Sequence, residues 1–142
     1  SILAGGVDGM IIRGNTVTGK IVGNGNSNLL ISDNIVRAGD NSGAVVQIGY
    51  TKGLTIRGNT ILGTENNPTG LYVWGKSRYN DQPGEDVLIS GNQISAADHA
   101  ISLNGAVNVR ISGNLLKAPR PLLQRRTESV ISDVVPPTPD TE

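Results

Sequence analysis

The sequence predicts an all-β chain wound as a parallel β-helix, a solenoid of about five coils with an extended C-terminal arm. Two observations carry that prediction. One is a pattern that recurs five times without a gap: Ile12-Arg13-Gly14-Asn15-Thr16-Val17, Ile31-Ser32-Asp33-Asn34-Ile35-Val36, Ile56-Arg57-Gly58-Asn59-Thr60-Ile61, Ile89-Ser90-Gly91-Asn92-Gln93-Ile94 and Ile111-Ser112-Gly113-Asn114-Leu115-Leu116. Two residues before each first isoleucine stands another apolar residue: Met10, Leu29, Leu54, Val87 and Val109. The other observation is the spacing. From Asn15 through Asn34, Asn59 and Asn92 to Asn114 the steps are 19, 25, 33 and 22 residues. A leucine-rich repeat of roughly 20 to 29 residues would carry several leucines per copy at fixed steps. Constant corners joined by loops of variable length fit a β-helix instead.

Each copy reads as apolar-x-Ile, a two-residue corner, then x-apolar. Its first part alternates, as a strand with one buried face does. The corner takes Gly or Asp and then Asn, residues that tolerate φ > 0. One copy is too short to bury its own apolar face, but stacked copies bury each other's. The aligned positions then form columns: Met10 to Val109, Ile12 to Ile111, and Val17, Val36, Ile61, Ile94 and Leu116. The asparagines form a fourth column, in which each amide bonds its neighbours and supports the stack. That role is structural.

The 142 residues suffice for one domain. Aliphatic residues supply the core, since the chain has no Phe and one Trp. Nineteen glycines suit a turn-rich all-β chain. Twelve basic side chains balance twelve acidic ones, which argues against nucleic acid or an anionic membrane as the main partner. No run is long enough to span a bilayer as a helix and no signal peptide is present. Without cysteine there is neither a disulfide nor a cysteine-based metal site, and no cofactor is expected.

Taken in order, residues 1–9 read as the last strand of a coil. The chain begins in mid-coil at Ser1, and a fragment or processed product is therefore expected. Residues 10–28 make the shortest coil, with Ile21 and Val22 in its third wall. Residues 29–53 make the second, with Ala44-Val45-Val46-Gln47-Ile48 as a long strand and Asp33 at a slightly strained corner. Residues 54–86 make the longest. After Leu71-Tyr72-Val73-Trp74, its insertion runs from Gly75 to Asp86. Residues 87–108 form the fourth coil, with Asp98-His99 in a turn. Residues 109–126 begin a fifth, interrupted by Pro119 and Pro121. The β-helix thus spans residues 1–126. Residues 127–142 read as an extended arm or linker that ends in Pro136-Pro137-Thr138-Pro139, and its pairs Val130-Ile131 and Val134-Val135 imply that it packs on its own barrel or on a neighbouring subunit.

The repeated Ile-x-Gly-Asn-x-Ile pattern over residues 1–117 resembles the right-handed parallel β-helix of the pectin-lyase-like superfamily, which includes polysaccharide lyases, glycoside hydrolases, uronan epimerases and phage tailspikes. The resemblance implies a right-handed coil, a polysaccharide partner and an extracellular or virion-surface location. It carries no particular activity, because the repeat is scaffold. The carboxylate cluster with which the family's lyases hold calcium has no counterpart, Glu85-Asp86 being the nearest. The epimerase-like Tyr-Gly-x-Asp-Pro-His pattern is also absent. A glycosidase needs two carboxylates at a set separation, and the repeat fixes no such pair on one outer wall.

Candidate site residues lie in the insertion, because loops that leave a rigid scaffold are where binding concentrates. Trp74 and Tyr79 offer flat faces to sugar rings, and Lys76 and Arg78 suit acidic sugars. The competing reading is that Trp74 and Tyr79 merely fold the loop back on the barrel. Asp98 beside the single histidine suggests acid–base chemistry, but neighbours on an extended chain point opposite ways and a solvated turn is the expectation. Outward positions Arg13, Ser32, Arg57 and Ser90, each after its ladder isoleucine, and Arg110, just before its own, form a mildly basic stripe that reads as a solvated face. The function expected is a structural, polysaccharide-recognising module of a tailspike-like or surface protein, possible as a homotrimer. The alternatives are a polysaccharide lyase or glycoside hydrolase, and a ligand-free spacer.

Overall fold

A computed structural model describes residues 1–39 and 43–135 of the chain. The Pro136-Pro137-Thr138-Pro139 exit therefore lies outside the described residues. Among those described there are seventeen strands and no helix, and every strand pair is parallel. The chain is a parallel β-solenoid of three stacked sheets, as the repeat predicts.

The first sheet contains β1 (Ile2–Gly5), β4 (Ile21–Asn24), β7 (Ala44–Gly49), β10 (Thr69–Trp74), β13 (His99–Asn104) and β16 (Arg120–Arg125). A second contains β2 (Ile11–Arg13), β5 (Ser27–Ser32), β8 (Lys52–Arg57), β11 (Gly84–Ser90), β14 (Ala106–Ser112) and β17 (Glu128–Ser132). The third is narrower, with three-residue strands: β3 (Thr16–Thr18), β6 (Ile35–Arg37), β9 (Thr60–Leu62), β12 (Gln93–Ser95) and β15 (Leu115–Lys117). Each coil lays one strand on each sheet in turn.

Register follows the repeat. Leu29, Leu54, Val87 and Val109 are paired in sequence, as are Ile12, Ile31, Ile56, Ile89 and Ile111, and Val17, Val36, Ile61, Ile94 and Leu116. On the first sheet Ile21, Val46, Leu71 and Ile101 make a further buried column. Together these side chains form one aliphatic core inside the three walls.

The corner between the second and third sheets needs a left-handed residue. Gly14, Gly58, Gly91 and Gly113 have φ of 72, 67, 63 and 65°, and Asp33 adopts 57° in the same place. The asparagine that follows turns inward. Each amide oxygen of Asn34, Asn59, Asn92 and Asn114 accepts both the main-chain N–H and the Nδ2–H of the asparagine one coil earlier, at 2.9–3.0 Å. Each Nδ2 also donates to the carbonyl of the isoleucine two residues ahead of that earlier corner: Asn34 to Ile12, Asn59 to Ile31, Asn92 to Ile56 and Asn114 to Ile89. The buried amides are thereby satisfied at both ends.

Three local features differ from the sequence reading. The insertion is shorter, residues 75–83, because Gly84-Glu85-Asp86 opens β11 and pairs in the ladder. Glu128–Ser132, read as the start of the arm, is a strand paired with β14, with Val130 beside Val109. Ser32, read as part of an outward, solvated stripe, is fully buried, and its Oγ has no hydrogen-bond partner among the described residues.

Candidate functional site

Tyr72 and Trp74 lie two residues apart on β10, so both face out from the first sheet. Their rings stack, with centroids 5.2 Å apart and planes 18° from parallel. Register sets Trp74 beside Gly49 of β7. Because Gly49 has no side chain, the indole packs against it, and a Cβ there would clash with Cε2, Cζ2 and Nε1 of the indole. Tyr50 follows in a left-handed turn, φ 48°, and meets Trp74 edge-on at 6.3 Å and 76°. Tyr50 Oη and Ser77 Oγ are 3.1 Å apart, which ties the insertion to this cluster. The result is a half-buried aromatic shelf across two neighbouring coils.

Polar groups border the shelf. Asn104 is in register with Trp74. Its Oδ1 accepts from Nε and Nη2 of Arg126 at 3.2 and 3.0 Å, and its Nδ2 donates to Tyr72 Oη at 3.4 Å. The amide is therefore held in one orientation. From Tyr72 an open groove continues along the outer face of the first sheet, lined by Thr69, His99, Ser102, Asn104 and Arg125 among others.

At the groove wall Asp98 and His99 do interact, contrary to the alternation argument. Asp98 precedes β13 and sits in a bend, so strand alternation does not govern it. Its Oδ2 is 3.3 Å from His99 Nδ1, and its Oδ1 is 3.4 Å from Arg120 Nε on the next coil. His99 Nε2 is screened from solvent and has no hydrogen-bond partner.

The four candidate residues are separated. Trp74 belongs to the shelf. Arg78 and Tyr79 pair with each other at the tip of the insertion, the guanidinium 4.9 Å from the ring centre, and Tyr79 is 82% exposed. Lys76 is exposed, with its main-chain N–H bonded to Gln82. A turn across Ser77 and Asn80 closes the tip. Sequence reasoning missed Tyr50 and the role of Tyr72. The two-residue step from Tyr72 to Trp74 was a usable signal for the second of these. Comparison of the chain with protein-family models, with curated proteins and with solved structures finds no match.

Proposed function

We propose that this chain is a polysaccharide-recognising module of a larger tailspike-like or surface protein, a member of the pectin-lyase-like group, and that its glycan lies along the outer face of the first sheet. The observation that carries this reading is the Tyr50–Trp74–Tyr72 shelf. Large flat rings with hydrogen-bonding groups at their edges match a sugar, which has apolar C–H faces and a polar rim. Asn104, fixed from both sides, supplies such a rim. An extracellular or virion-surface location and a homotrimer belong to the same proposal. Ile131 and Val135, 64% and 79% exposed near the C-terminal end, are the apolar side chains a neighbour would cover.

The test is affinity across a broad glycan panel for the wild type, Trp74→Ala and Tyr79→Ala. Loss of binding in Trp74→Ala with retention in Tyr79→Ala supports the shelf. Equal loss in both moves the site to the insertion, and no binding by the wild type leaves a ligand-free spacer.

One observation favours a second reading, a polysaccharide-degrading enzyme. The Asp98–His99 contact beside the groove gives an imidazole oriented by a carboxylate, the arrangement a general base needs. New chain ends released from a glycan by the wild type, and not by His99→Gln, would establish it.

A further inference from the structure

The groove beyond Tyr72 differs chemically from the aromatic shelf. Arg125 lines it and has no ion-pair or hydrogen-bonding partner for its guanidinium among the described residues. Two neighbouring arginines are engaged, Arg120 with Asp98 and Arg126 with Asn104. No Asp or Glu is among the described residues lining the groove. Asp98 stands behind His99 and is committed to His99 and Arg120. Among the described residues the groove lining therefore offers a cation with no counter-charge.

His99 adds a second unsatisfied group. Its Nδ1 faces the Asp98 carboxylate at 3.3 Å. Its Nε2 is already out of water and unpaired. A hydrogen-bonding partner that reached it would cost Nε2 no hydration, because that was lost on folding. Ser102 and Tyr72 supply further hydroxyls on the same face.

We propose that this groove is a subsite for a sugar unit bearing an anionic substituent, with Arg125 pairing to the anion and His99 Nε2 hydrogen-bonded to a hydroxyl of the same unit. The inference rests on the glycan reading and adds its charge class. The ring of that sugar lies against Tyr72, and the next unit along the chain reaches the Trp74 shelf. Guanidinium pairs with carboxylate or sulfate through a planar fork that a neutral sugar cannot use.

The probes are glucuronate-, galacturonate- and mannuronate-containing oligosaccharides, each beside its carboxyl-reduced neutral counterpart, and a sulfated oligosaccharide beside its desulfated form. Affinities are measured for the wild type, Arg125→Gln, His99→Gln and Trp74→Ala. Arg125 is exposed, so its replacement leaves the fold intact, which circular dichroism checks. At least one acidic probe should bind the wild type roughly tenfold or more tightly than its neutral form. Arg125→Gln should erase that preference while keeping the neutral affinity, and His99→Gln should weaken both forms. Which acidic probe is preferred distinguishes carboxylate from sulfate. Equal binding of every acidic and neutral pair, or a preference that survives in Arg125→Gln, overturns the subsite while the glycan reading stands. If Trp74→Ala binds every probe as the wild type does, or no probe binds at all, the glycan reading itself falls and the subsite with it.

Discussion

Asn59 stands at the middle of the asparagine column and is 1% exposed. Its Oδ1 accepts the main-chain N–H and the Nδ2–H of Asn34, both at 3.0 Å. Its own Nδ2 donates to the carbonyl of Ile31 at 3.0 Å and to Asn92 Oδ1 at 3.0 Å. Truncation to Ala removes all of these and keeps the main-chain bonds, Asn59 N–H to Asn92 Oδ1 and Gln93 N–H to the Asn59 carbonyl. The main-chain N–H of Asn34 and one of its two Nδ2 hydrogens are then buried without an acceptor, while the other keeps the Ile12 carbonyl. At about 1–3 kcal/mol for each unsatisfied buried group, the cost is about 2–6 kcal/mol. Against a total of about 5–15 kcal/mol this is a large fraction, and the midpoint of thermal unfolding should fall on the order of 10 °C. Asn15 is the internal control. It sits at the end of the column, is only partly buried, and its Oδ1 receives no donor among the described residues. Asn15→Ala should cost under about 1 kcal/mol, since no buried donor is orphaned. Thermal and urea unfolding followed by circular dichroism compares the two. An Asn59→Ala protein within 1 kcal/mol of the wild type, or no less stable than Asn15→Ala, would refute the idea that the ladder bonds support the stack.

Three further outcomes follow from local geometry. Gly49→Ala puts a methyl group where the Trp74 indole lies, so Trp74 emission should change and glycan affinity should drop by about tenfold or more while the fold persists; unchanged emission would show that Trp74 does not rest on Gly49. Asp33→Gly relieves a left-handed non-glycine corner, φ 57°, and should raise stability by up to about 1 kcal/mol in urea unfolding. Gly58→Ala, one coil on, should lower it, because its φ is 67° and the new Cβ would stand 2.5 Å from Asp33 Oδ1; the loss should shrink in an Asp33→Gly background, which a double-mutant cycle measures.

Much of the fold was readable because a solenoid repeats its physical requirements. Ile31, Ile56 and Ile89 must each face inward one above another, so the sequence shows the same residue at each. Asn34, Asn59 and Asn92 must each satisfy a buried corner, so asparagine recurs with equal strictness. A second left-handed column passed unnoticed, although Asn28, Gly53, Asp86 and Asn108 stand one residue before Leu29, Leu54, Val87 and Val109. It marks a kink inside the second sheet, where turn residues are not expected. The candidate site was less legible. Trp74 touches Tyr50 only because register pairs it with Gly49, and unequal coil lengths hide that pairing until the strands are aligned. Asp98 and His99 were separated by an alternation rule that holds inside a strand and not in the bend before it.

The unequal coil lengths themselves point to the face. Between the first and second sheets the chain spends residues 6–10, 25–26, 50–51, 105 and 126–127, yet it spends 75–83 after β10. Before β10 it spends residues 63–68, the same length as 38–43 before β7, where 19–20 suffice before β4 and 96–98 before β13. The extra length of the longest coil thus falls chiefly after one strand, the strand that carries Tyr72 and Trp74. Both excursions touch the face. Ser77 reaches Tyr50 from one end and Pro68 lines the groove at the other. Stacking alone does not require the 75–83 excursion, since the neighbouring coils keep the same register with the shorter connections 50–51 and 105. Added chain carries an entropic cost of closure that grows only slowly with length, so such loops are tolerated wherever they arise. Tolerance does not account for the longest of them following the strand that carries the one stacked aromatic pair on the outside of the solenoid among the described residues. A ligand seated on Tyr72 and Trp74 would have a wall at each end, which is what binding along that strand requires.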